Sequence, residues 1–65
     1  MTTIGENIKK LRIKQGLTQD DLAKKTGLKY STFAKIEGSF VKKPGVQMVA
    51  KIAQALGVSI EDLMK

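Results

Sequence analysis

Apolar residues recur along the chain at steps of three and four, the spacing that places them on one side of an α-helix. Ile4, Ile8 and Leu11 form the first such stripe, in a helix expected over about residues 3–15. Thr3 and Glu6 have capping-box spacing at its start, and Gly16 stands where the helix must stop. Thr18 is a natural N-cap for a second helix. Gln19, Asp20 and Asp21 fill its first turn, where acidic groups suit the helix dipole. Leu22 and Ala23 face inward, Lys24 and Lys25 occupy the last turn, and Gly27 closes it. A third helix over about 29–37 buries Phe33 and Ile36, with Leu28 anchoring it from just before. Two glycines and the only proline mark residues 38–45 as a loop. Val46, Val49, Ile52, Ala53 and Leu56 form a fourth stripe that ends at Gly57. Ser59 then caps a short fifth helix, in which Ile60 and Leu63 complete the core and Met64 follows.

The pattern predicts an all-α fold, a compact five-helix bundle. No repeat, linker or low-complexity stretch divides it, so residues 1–65 are expected to form a single domain. At 65 residues the chain buries roughly 60% of its unfolded surface, which makes its stability modest. A hydrophobic content of 42% argues against disorder. The absence of cysteine and histidine excludes disulfides, thiolate or imidazole metal sites, and catalysis by either residue. No metal or cofactor is expected. No apolar run approaches the about 20 residues that cross a bilayer. The start of the chain, Met1 to Glu6, lacks the charged and apolar segments of a secretion signal. The expectation is a soluble, cytoplasmic protein. Twelve Lys or Arg against six Asp or Glu give a net charge of +6, which favours polyanions, nucleic acid foremost.

The segment from Gln19 to Ile36 reads as two short helices joined by a tight turn. Ala23 is small where the third helix crosses the second, and Gly27 sits where the turn needs positive φ. Phe33 and Ile36 clamp the third helix to the rest. In this order, and together with Leu11-Arg12, Gly16-Leu17-Thr18-Gln19, Leu22-Ala23, Ile36-Glu37, Pro44, Lys51 to Ser59 and Asp62-Leu63, the chain resembles the Cro-type, lambda-repressor-like (XRE) helix-turn-helix family. The resemblance covers nearly the whole chain, with the helix-turn-helix over about residues 18–37 formed by helices 2 and 3. Each piece alone is weak; the ordered set is specific.

The resemblance implies sequence-specific binding of double-stranded DNA by a transcriptional regulator, most simply a repressor, with the third helix in the major groove. It assigns Gln19 to a DNA phosphate, and Lys29, Tyr30, Ser31 and Lys35 to base edges or nearby backbone. Lys42 and Lys43 match a basic loop that grips phosphate, and Arg12 and Glu37 match a structural ion pair. The chemistry of these residues agrees. Lys35 can donate to guanine O6 or N7, and Ser31 can donate or accept at almost any base. Tyr30 offers a ring to a thymine methyl and a hydroxyl to a base or phosphate. The sequence departs from the family at Lys29, where Ser or Thr usually caps the third helix. It departs again at Gly38-Ser39, in reversed order, and at Phe33, in place of a β-branched residue.

Plainer roles compete with these. Lys9, Lys10, Lys14 and Lys51 read as a solvated face, the default for exposed lysine. Ser31 and Lys35 are spaced as a Ser–Lys dyad might be, but a protruding helix offers neither a dry pocket nor an oxyanion hole, and no enzyme is expected. Asp20 and Asp21, adjacent on a helix, point to different sides, unlike a metal pair. A single copy reads half a site, so a homodimer on a palindromic operator is expected, with Val58, Ile60 and Met64 as its surface. The alternative is a monomer whose last helix caps the bundle. A different class of function is an antitoxin or other protein-interaction module that keeps the fold and holds a protein partner. Membrane-surface association is discounted, because the helices lack the aromatic, strongly one-sided character of interfacial ones.

Overall fold

The computed structural model describes residues 3–38 and 44–64. Lys42 and Lys43 lie outside the described residues, as does Ser39 of the reversed Gly-Ser pair. Helix α1 (Ile4–Lys14) starts at Thr3, whose hydroxyl accepts the Glu6 N–H at 3.2 Å. Helix α2 (Gln19–Thr26) begins with a reciprocal cap. The Thr18 hydroxyl accepts the Asp21 N–H at 3.0 Å, and the Asp21 carboxylate accepts the Thr18 N–H at 3.0 Å. Helix α3 (Tyr30–Glu37) begins at Lys29 with no side-chain cap, as the lysine there implies. Helices α4 (Val46–Leu56) and α5 (Ile60–Met64) follow. Ser59 and Asp62 cap α5 reciprocally, at 3.2 and 3.1 Å.

Among the described residues there is no strand, and the apolar stripes close on one core. Ile8, Leu22, Ala23, Phe33, Ile36, Val49, Ile52, Ala53, Leu56 and Leu63 are its buried members. Helix α1 packs on α3, α4 and α5, while α2 packs on α3 and α4. Side chains tie the ends of this arrangement to distant backbone. Asn7 Nδ2 donates to the Leu63 carbonyl at 2.8 Å, and Gln15 Nε2 to the Leu56 carbonyl at 2.7 Å. Each satisfies an oxygen that a helix end leaves without an intrahelical donor.

Two expectations from the apolar stripes need correction. Val46 is 77% exposed. It is the first residue of α4, one turn ahead of Val49, where the stripe runs past the end of the core. Ile60 is exposed as well, so Leu63 alone of the α5 apolar residues is buried. A helix of five residues aims one position squarely inward; Ile60 and Met64, four apart, share the edge of that face.

Candidate nucleic-acid interface

Helix α3 divides sharply. Phe33, Ile36 and Glu37 are buried, whereas Tyr30, Ser31 and Lys35 are exposed, as is Lys29 just before the helix. Ser31 and Lys35 lie one turn apart on the outer side, where both are open to a partner. The inner side is held at both ends. Phe33 and Ile36 are anchored in the core, and the C-terminal turn lies against α1 so closely that Gly5 is required there. A Cβ on Gly5 would sit 2.5 Å from the Ile36 carbonyl oxygen and 2.6 Å from that of Glu37.

The turn between α2 and α3 is equally constrained. Gly27 has φ of 77°, a conformation costly for residues with a Cβ. The buried Thr26 hydroxyl donates to the Ala23 carbonyl at 2.7 Å and accepts the Leu28 N–H at 3.2 Å. Local hydrogen bonds thus close the end of α2 and the first residues of the turn that leads to α3.

Four residues that sequence reasoning divided into scaffold and contact form one chain of hydrogen bonds. Arg12 Nη2 lies 2.9 Å from Glu37 Oε1, and Arg12 Nε donates to both carboxylate oxygens at 3.1 and 3.2 Å. Arg12 Nη1 donates to the Leu17 carbonyl at 2.7 Å, so one guanidinium joins α1, the α1–α2 turn and α3. Gln19 Nε2 donates to Glu37 Oε1 at 3.3 Å, and the Tyr30 hydroxyl donates to Gln19 Oε1 at 2.9 Å. The chain runs from a buried ion pair to the exposed start of α3. No sequence spacing announces it, because its members lie on three helices.

The electrostatics follow. Arg12 and Glu37 neutralise each other, and Lys24 pairs with Asp20 at 3.1 Å on the outside of α2. Neither Lys29 nor Lys35 has an ion-pair partner among the described residues, which leaves the outer face of α3 electropositive. A groove of about 300 Å³ between α2 and α4 is lined by Lys25, Thr26, Lys51, Gln54 and Ala55 and includes no residue of α3. Ser31 and Lys35 therefore do not share it. Val58 packs half-buried against the core, while Ile60 and Met64 are exposed on α5, away from α3 in the chain order.

Comparison with known proteins adds a match to the helix-turn-helix family model over residues 8–63. The HTH-type transcriptional regulator SinR of Bacillus subtilis is 33% identical over 61 residues, which are 94% of this chain and 55% of SinR. An uncharacterized HTH-type transcriptional regulator of Archaeoglobus fulgidus is 39% identical over 57 residues, 86% of this chain and 79% of that protein. One from Methanocaldococcus jannaschii is 42% identical over 57 residues, 86% of this chain and 83% of that protein. The chain spans about half the length of the SinR proteins it matches.

Proposed function

Since the chain belongs to the Cro-type helix-turn-helix family, we propose that it binds double-stranded DNA at a specific sequence and regulates transcription from that site, as a repressor. The observation that carries this reading is the split of α3 into a buried inner side and an outer face of Lys29, Tyr30, Ser31 and Lys35. A helix clamped from behind presents its outer side chains at fixed positions, which base readout in the major groove requires. Its relatives in Bacillus subtilis and Archaeoglobus fulgidus are themselves named as transcriptional regulators, which supports the same reading here.

In this reading the labour is divided. Ser31 and Lys35 read base edges, and Lys35 suits guanine O6 or N7. Gln19 and the Lys42–Lys43 pair contact phosphate and set the register without reading sequence. Occupancy of the site represses by excluding other proteins from the same duplex. Two copies on a palindrome would read two half-sites about 34 Å apart, with Ile60 and Met64 of α5 at the contact between them.

The division is tested by two substitutions measured against the selected site and a scrambled duplex. Lys35→Ala lowers the discrimination between them by about 1–3 kcal/mol. Lys42→Ala weakens both duplexes nearly equally and reduces the salt slope by about 1. Equal effects of the two substitutions on discrimination would contradict the assignment.

A further inference from the structure

We infer that Tyr30 reads its base pair as a hydrogen-bond acceptor: its hydroxyl oxygen selects adenine or cytosine, the bases with an exocyclic amino group, on the strand it faces. The inference rests on the DNA-binding reading above and deepens it.

The polarity is set at the buried end of the hydrogen-bond chain. The Glu37 carboxylate, buried and bound by Arg12 through Nε and Nη2, can only accept. The Gln19 carboxamide beside it must turn its nitrogen inward, because its oxygen would face another acceptor. Nitrogen and oxygen are distinguished here by their partners. With Nε2 at 3.3 Å from Glu37 Oε1, the Gln19 oxygen is left facing Tyr30 at 2.9 Å. A carboxamide oxygen carries no hydrogen, so the phenolic proton must lie in that bond.

A tyrosine hydroxyl has one hydrogen to donate. With that hydrogen held by Gln19, Tyr30 offers DNA only lone pairs. It is then unsuited to phosphate oxygens, guanine O6 and N7, and thymine O4, all of which accept. In the major groove an acceptor finds its donor at adenine N6 or cytosine N4. Gln19 has the opposite polarity: one Nε2 hydrogen goes to Glu37, and the second is free to donate to a phosphate. Arg12 and Glu37 thus act on specificity without touching DNA, and Gln19 is a positioning residue for the Tyr30 proton as well as a phosphate donor. The hydroxyl does not serve base and phosphate alike, as the side chain considered alone allows.

The test is competition binding by fluorescence anisotropy. Wild type, Tyr30→Phe and Gln19→Ala are each measured against a duplex selected from a randomised pool and against its full set of single-base-pair substitutions. Wild type should prefer adenine or cytosine over guanine and thymine at one position of one strand by about fivefold, the worth of one hydrogen bond. Tyr30→Phe should abolish that preference and change the other positions by less than about twofold. Gln19→Ala frees the phenolic proton, so the same position should lose its preference while every duplex binds more weakly. Tyr30 is exposed and Gln19 half-exposed, so both variants should fold, and thermal melting is the check that they do. Retention of the adenine-or-cytosine preference in Gln19→Ala would overturn the inference, as would a guanine-or-thymine preference at the Tyr30-sensitive position. A selected site with no position sensitive to Tyr30→Phe would also overturn it and leave the DNA-binding reading standing. If wild type selects no duplex, the DNA-binding reading fails, and the inference fails with it.

Discussion

Gly5 shows how much one missing methyl group can decide. Its neighbours are backbone carbonyl oxygens of Ile36 and Glu37, which cannot rotate away as a side-chain tip would. Gly5→Ala should therefore destabilise the protein by about 1–3 kcal/mol, although alanine is the better helix former. Urea unfolding checks it, and an unchanged or raised midpoint would contradict the close approach of α1 to α3. In the sequence, Gly5 stands in a first helical turn, where glycine is unremarkable, and its real neighbours are more than thirty residues away. The Arg12–Glu37 pair was legible only through family resemblance, since charge pairs 25 residues apart have no local signature. Arg12→Ala leaves a buried carboxylate without its guanidinium and should cost about 3–5 kcal/mol. The double replacement Arg12→Leu with Glu37→Leu should recover much of that loss in the same urea assay, because no lone buried charge remains. A double variant no more stable than Arg12→Ala would contradict this.

Caps and turns are the features of the elements that local sequence encodes best. Ser or Thr before an apolar stripe marked the starts of α1, α2 and α5, and glycine marked the ends of α2 and α4, because these signals need only neighbours. What the stripes could not tell was where the core ends, hence the exposed Val46 and Ile60. The cap of α2 has a pH signature. The Thr18 backbone N–H first, and its hydroxyl second, hold the Asp21 carboxyl below its ordinary value of 3.8, and Lys24 and Lys25 act in the same direction. A carboxylate with a depressed folded-state pKa stabilises fully above the unfolded value, and this contribution is lost as pH falls through the folded value. Asp21→Asn should therefore lower the melting temperature at neutral pH, and its deficit against wild type should shrink as pH drops below 3.8. A deficit that is constant or grows in acid would contradict the cap. Helix α3 lacks such a cap, and Lys29→Ser should raise stability by about 1 kcal/mol in thermal melts. The same change removes a positive charge from the proposed interface, so stability and DNA affinity should move in opposite directions.

Over the whole molecule, the bundle was readable because each amphipathic stripe has one side to bury and the short connections leave few ways to bury all five. The outer face of α3 was readable for the same reason, as the polar remainder of a helix with its apolar side assigned. Quaternary structure was not. Ile60 and Met64 expose apolar surface, but no periodicity distinguishes a contact between copies from an edge left open to water. If α5 joins two copies on DNA, Ile60→Glu with Met64→Glu should leave the fold and half-site binding intact and remove the gain in affinity for a palindrome. An unchanged gain would place the contact elsewhere. The central claim, that this helix-turn-helix reads sequence and does not merely attract phosphate, is tested most directly by retention of a randomised DNA duplex pool at near-physiological salt, followed by sequencing. An enriched palindrome with half-sites about one helical turn apart is the expected result. Retention without enrichment, lost as salt rises, would mean attraction to the backbone alone and would shift the case to a protein partner held on the same fold.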